Sequence, residues 1–130
     1  MKTALASRPG AIQASLRATL GSFPEITVSS STSGGLSALS KVREDRPSLL
    51  VIDGALSEVE VGHVLKEAKR ADPQLWCIVL VDTAREGQRS LSAGADMALM
   101  RDSLSGHLLE AMRDMELIDT PQDASNDFRT

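Results

Sequence analysis

Leu49-Leu50-Val51-Ile52-Asp53-Gly54 is a run of four large apolar residues that stops on a carboxylate and a glycine. A continuous apolar run suits a strand covered on both faces, as central strands of parallel sheets are. Leu75-Trp76-Cys77-Ile78-Val79-Leu80-Val81 repeats the pattern and stops at Asp82. Between the two runs, Ser57-Glu58-Val59-Glu60 has the spacing of a capping box, with Ser57 as N-cap and Glu60 three residues on. Val61, Val64, Leu65 and Ala68 then fall on one helical face, and Pro73 closes the helix at about Ala71. Strand, helix and strand in this order make a βαβ unit.

The same alternation extends to both sides. Residues 3–7, 25–30 and 97–100 read as further strands. Residues 11–20 read as a helix with Ile12, Leu16 and Leu20 at spacing four, stopped by Gly21 with Pro24 beyond. Leu36, Leu39 and Val42 mark a second helix that ends before Pro47. The hydroxyl- and glycine-rich run 29–35 reads as a loop. Residues 85–93 form a short polar helix closed by Gly94, and Ser103 caps a last helix with Leu104, Leu108, Ala111, Met112 and Met115 on its inner face. Five strands in strict alternation with five helices predict an α/β fold with an open, doubly wound parallel sheet. One domain is expected over residues 1–118, with a disordered polar tail at 119–130. Ligands of such sheets sit outside the carboxyl ends of the strands. Those ends are Ser7 and Arg8, residues 29–31, Asp53, Asp82 with Thr83, and Arg101.

Composition narrows the function classes. The chain has 130 residues, with 14 Lys and Arg against 18 Asp and Glu, a formal charge of −4. That excludes nucleic-acid binding through a broad basic face. Phe23, Trp76 and Phe128 are the only aromatics, too few for stacking on bases. The apolar runs are too short to span a membrane, and the first nine residues lack the apolar stretch of a signal peptide. A cytoplasmic protein is expected. Cys77 is the single cysteine, so neither an internal disulfide nor a cysteine metal site is available, and a place in an apolar strand makes it an inert core residue. His63 and His107 have no partner at ligand spacing. The run 29–35 invites comparison with flavodoxins, whose phosphate-cradling loop follows the first strand, whereas this one follows the second.

The strand ends carry a family resemblance over roughly residues 2–117. Gly94-Ala95-Asp96-Met97-Ala98-Leu99-Met100-Arg101-Asp102 is similar to the Gly-Ala-Asp stretch that leads to a Lys in response-regulator receiver domains, the phosphoacceptor modules of two-component signalling. Pro47-Ser48-Leu49-Leu50-Val51-Ile52-Asp53 resembles the strand ending in their phosphorylated Asp. Leu80-Val81-Asp82-Thr83-Ala84 resembles the strand ending in a Ser or Thr followed by Ala. The resemblance implies the flavodoxin-like (βα)5 fold with sheet order 2-1-3-4-5. It places Asp53 at the phosphoacceptor position and Ser7, Arg8, Thr83 and Arg101 around it, with Asp82 or Thr83 at the hydroxyl position.

In an intact receiver a carboxylate attacks a phosphoryl group, and Mg²⁺ with a Lys neutralises the gathered charge. Two adjacent acidic residues at the end of the first strand hold that ion. Aligning Leu16-Arg17-Ala18-Thr19-Leu20 with the first helix puts Ser7 and Arg8 at their positions, and no carboxylate precedes Glu25. A guanidinium has no lone pair to offer a metal. Arg101 stands for the Lys, and Ala98 for the aromatic of the fifth strand. These residues predict a degenerate receiver with no metal site and Mg²⁺ binding lost, in which Arg8 and Arg101 pair directly with Asp53. The expected role is a stand-alone module, not an enzyme, acting in signal transduction through contact with a histidine kinase or effector protein, without direct nucleic-acid or membrane contact. Too little chain follows residue 117 for a DNA-binding domain. A homodimer is compatible with this reading. The competing readings are a working phosphoacceptor at Asp53 and, more distantly, a small flavodoxin-like nucleotide-binding enzyme.

Overall fold

The computed structural model describes residues 1–114. The elements run β1 (Lys2–Ser7), α1 (Ala11–Gly21), β2 (Thr27–Ser33), α2 (Gly35–Asp45), β3 (Leu49–Asp53), α3 (Glu58–Ala71), β4 (Trp76–Val81), α4 (Ala84–Ser92), β5 (Met97–Met100) and α5 (Leu104–Asp114), with a 3₁₀ turn at Arg101–Ser103 before α5. All strands are parallel in one sheet of order β2-β1-β3-β4-β5, the expected flavodoxin-like order.

The two apolar runs occupy the middle of the sheet because helices cover them on both sides. Alternation along each strand divides the core. Leu50, Ile52, Cys77, Val79 and Val81 pack with Leu39, Val42, Val64 and Leu65, under α2 and α3. Leu49, Val51, Ile78 and Leu80 pack with Leu16, Leu20, Leu104 and Leu108, under α1 and α5. The chain moves outward from β1 to β2 and then returns past β1 to β3. The strand-order reversal therefore opens a crevice at the carboxyl ends of β1 and β3.

Side-chain N-caps start α3 and α4. Ser57 accepts a hydrogen bond from the Glu60 amide at 3.1 Å, and Thr83 does the same for Glu86 at 3.1 Å. Gly94 follows the last turn of α4 with φ +117°, a left-handed conformation open to glycine.

Three expectations are corrected. β2 continues through Ser33, so residues 31–33 are strand and not loop. Hydroxyls hold this edge to β1, with Ser29 donating to the Thr3 carbonyl and Thr32 to the Leu5 carbonyl, both at 3.3 Å. Residues 29–31 are consequently mid-strand and away from the carboxyl-end crevice. Ile12 and Leu36 point outward, Leu36 being 78% exposed, because the inner face of α2 is made by Ala38, Leu39 and Val42. Leu104 and Leu108 are buried as expected in α5. The side chains of Ala111 and Met112, residue Met115 and the polar segment 119–130 lie outside the described residues.

Candidate functional site

Asp53 is the last residue of β3, and its side chain is fully buried at the crevice. The turn after it is dictated by Gly54. The Gly54 amide donates to the Leu80 carbonyl at 2.8 Å, and a Cβ there would stand 2.3 Å from the same oxygen. Only glycine permits that approach of β3 to β4. The carboxylate then turns back on its own chain, with Oδ1 accepting from the Ala55 amide at 3.0 Å.

Arg101 enters from the carboxyl end of β5. Its Nη2 donates to Asp53 Oδ1 at 2.6 Å, and its Nε donates to Asp82 Oδ1 at 3.2 Å. Burial works against the Arg101 charge, but hydrogen bonds and attraction from Asp53, and then from Asp82, outweigh it and raise its pKa above the ordinary arginine value. Arg8, at the end of β1 and about half exposed, brings Nε to 3.7 Å from Asp53 Oδ2. Four of the strand-end residues therefore form one chain of charges: Arg8, Asp53, Arg101 and Asp82. Asp53 Oδ2 and Arg101 Nη1 are buried and have no hydrogen-bond partner. Both belong to groups that lose most from desolvation when left unpaired.

The remaining two candidates are used locally. Ser7 is buried, and its hydroxyl donates to the Arg8 carbonyl at 3.1 Å. Thr83 caps α4, as given above. Of the pair left open at the end of β4, Asp82 is the one bonded to Arg101. The sequence reading overlooked this link, although Asp82 and Arg101 end neighbouring strands and carry opposite charge. It also overlooked the capping box Thr83-Ala84-Arg85-Glu86, whose spacing was legible. His63 and His107 are exposed. Among the described residues no group of three or more His, Cys, Asp or Glu is placed to hold a metal ion, and no helix is long and apolar enough to cross a membrane.

No family model matches the sequence, and no curated protein is significantly similar to it. Solved structures do match. The response regulator domain of Thermotoga maritima CheB superposes with a TM-score of 0.72 at 20% identity, covering 92% of this chain and 98% of that one. A DNA-binding response regulator of the LuxR family from Staphylococcus aureus gives a TM-score of 0.74 at 15% identity, over 88% of this chain and 97% of that one. The isolated receiver domain of RcsB from Salmonella enterica serovar Typhimurium gives 0.73 at 15% identity, over 90% and 88%. The fold of this chain is the fold of those receiver domains.

Proposed function

We propose that the chain is an atypical receiver that acts in signal transduction by contact with a signalling protein, a histidine kinase or an effector, and that it does so without Mg²⁺-dependent phosphorylation. The observation that carries this reading is the pairing of buried Asp53 with Arg101 at 2.6 Å and with Arg8 at 3.7 Å. Mg²⁺ does not fit this donor set. A hard dication needs several oxygen ligands, and beside Asp53 the end of β1 offers a hydroxyl already donating to a carbonyl and a guanidinium that repels a cation. The same guanidinium pairing supplies the charge balance that a metal would otherwise bring, so the site is held in one state. The module is a binding protein and not an enzyme, cytoplasmic, and free of direct nucleic-acid or membrane contact.

Intact-mass spectrometry after incubation with acetyl phosphate and Mg²⁺ tests the reading. The expected spectrum shows no phosphoryl adduct. An adduct that disappears in Asp53→Asn would overturn the proposal in favour of a working phosphoacceptor. The double variant Ser7→Asp, Arg8→Asp sharpens the test. It places carboxylates beside Asp53, and Mg²⁺ should then raise its melting temperature with concentration, as a ligand of the folded state does. The unaltered chain should show no such dependence.

A further inference from the structure

α3 and α4 follow one another along the sheet, α4 packing on β4 and β5, and a groove of about 250 Å³ separates them. Small residues open it. Ser90 of α4 and Ala93 just after it face the groove, and Gly62 of α3 has open space where a side chain would stand. The floor is apolar, built from Val61 and Val81.

The charges around the groove are unequal. Glu58, Glu86 and Arg89 line it, two carboxylates against one guanidinium. Arg89 pairs with Glu58 at 3.6 Å, in an exposed pair. Glu86 is half-buried, and the hydrogen bond its side chain accepts, from the Asp82 amide, is long at 3.4 Å. No cationic side chain among the described residues stands within ion-pair distance of Glu86. Arg85 lies on the adjoining open surface and not in the groove. A half-buried carboxylate without a cation, above an apolar floor, has the complement of a long aliphatic stem that ends in positive charge.

We propose that the groove between α3 and α4 receives a lysine or arginine side chain of a partner protein, its stem on Val61 and Val81 and its charge on Glu86. The inference rests on the reading that the chain works through contact with a partner protein, and it names a surface and a chemistry for that contact. Asp53 does not line the groove, so a phosphoryl adduct there would leave this inference standing. Failure at the groove would equally leave the Asp53 reading standing.

The test is an amide NMR titration of the full chain with N-acetyl-arginine amide and N-acetyl-lysine amide, with the norleucine and glutamate analogues as controls. At least one cationic probe should saturate in the millimolar range, moving the amides of Gly54, Gly62 and Ser90. The controls should move them far less. Glu86→Gln keeps an oxygen for the Asp82 amide and should weaken the cationic probe about tenfold. Gly62→Met fills the groove from a position with room for a side chain and should abolish binding without lowering the melting temperature. Norleucine binding as tightly as the cations would reduce the groove to an apolar slot and overturn the proposal. Tighter binding of glutamate, an unchanged affinity in Glu86→Gln, or no saturation by either cation would also overturn it.

Discussion

Two carboxylates in this molecule each meet a cation at 2.6 Å, Asp96 with Lys69 and Asp53 with Arg101, and their surroundings differ. Asp96 leads into β5. Its Oδ2 accepts from Lys69 in the last turn of α3 and from the Cys77 amide at 2.8 Å, while the Asp96 amide donates to the Cys77 carbonyl at 2.9 Å. Lys69 also donates to the Leu75 carbonyl. That cluster ties α3, β4 and β5 together, and both partners keep some contact with solvent. Asp53 has no contact with solvent, and its cluster leaves Oδ2 and the Arg101 Nη1 without hydrogen-bond partners. Buried polar atoms in folded proteins are nearly always satisfied, so a residue of unsatisfied atoms marks a place shaped by something besides stability. The Asp96 pair is a staple of the scaffold. The Asp53 pair is the proposed site.

The largest effect should come from removing one partner of the unsatisfied pair. Arg101→Ala leaves a fully buried carboxylate with the Ala55 amide and, as its one nearby cation among the described residues, the more distant Arg8, and should cost about 3 kcal/mol, the low end of the range for breaking a buried pair. Denaturant unfolding measures it. Replacing both partners, as Asp53→Asn with Arg101→Met, should recover most of that loss. A cost for Arg101→Ala below about 1 kcal/mol would erase the distinction drawn here, because surface pairs behave that way.

Asp96→Ala should cost about 2 kcal/mol, since it strips a charged acceptor from Lys69 and from the Cys77 amide. Unlike the Asp53 loss, it should leave any response at the Gly54 and Ala55 amides unchanged in NMR.

Alkaline pH probes the Asp96 end by another route. Burial, the largest influence, pushes the Cys77 thiol up to about 12 from its ordinary 9.0, with Lys69 opposing and Asp96 and Asp72 assisting. A folded value above the unfolded one gives stabilisation that is full below the unfolded pKa and is lost as pH rises through the folded pKa. Melting temperature should therefore fall between pH 9.0 and about 12, and Cys77→Ala should flatten that slope. An identical slope in the variant would show that other groups set it.

The smallest effect belongs to Arg8→Ala. The pair is 3.7 Å long and Arg8 is about half exposed, so the loss should stay under about 1 kcal/mol and shrink in high salt. A larger loss would make Arg8 a full partner of Asp53 and bring the site closer to the satisfied cluster.

Periodicity and capping made much of the fold legible. The runs ending at Asp53 and Val81 are central strands because nothing polar interrupts them, and no other element type buries both faces over so few residues. β2 was misjudged because serine and threonine suit loops by local preference. Here they lie on an edge where their hydroxyls bond β1 carbonyls, and that partner comes from distant chain. Leu36 was misjudged because spacing alone does not say which of two apolar stripes faces the sheet.

For the site, the sequence by itself determined which charges stand at the strand ends: Arg8, Asp53, Asp82 and Arg101. That follows from alternation and strand length, which are local. Only the tertiary structure decided how those charges are shared. The parallel order of β3, β4 and β5 brings Asp53 and Asp82 within reach of one guanidinium, so Arg101 binds both, while Arg8 on the far side of β3 stays a looser neighbour. The divergence of α3 from α4 over Gly62 and Ser90 is likewise a matter of packing. No pattern along one chain segment encodes the gap between two helices bridged at the surface by the exposed Arg89–Glu58 pair.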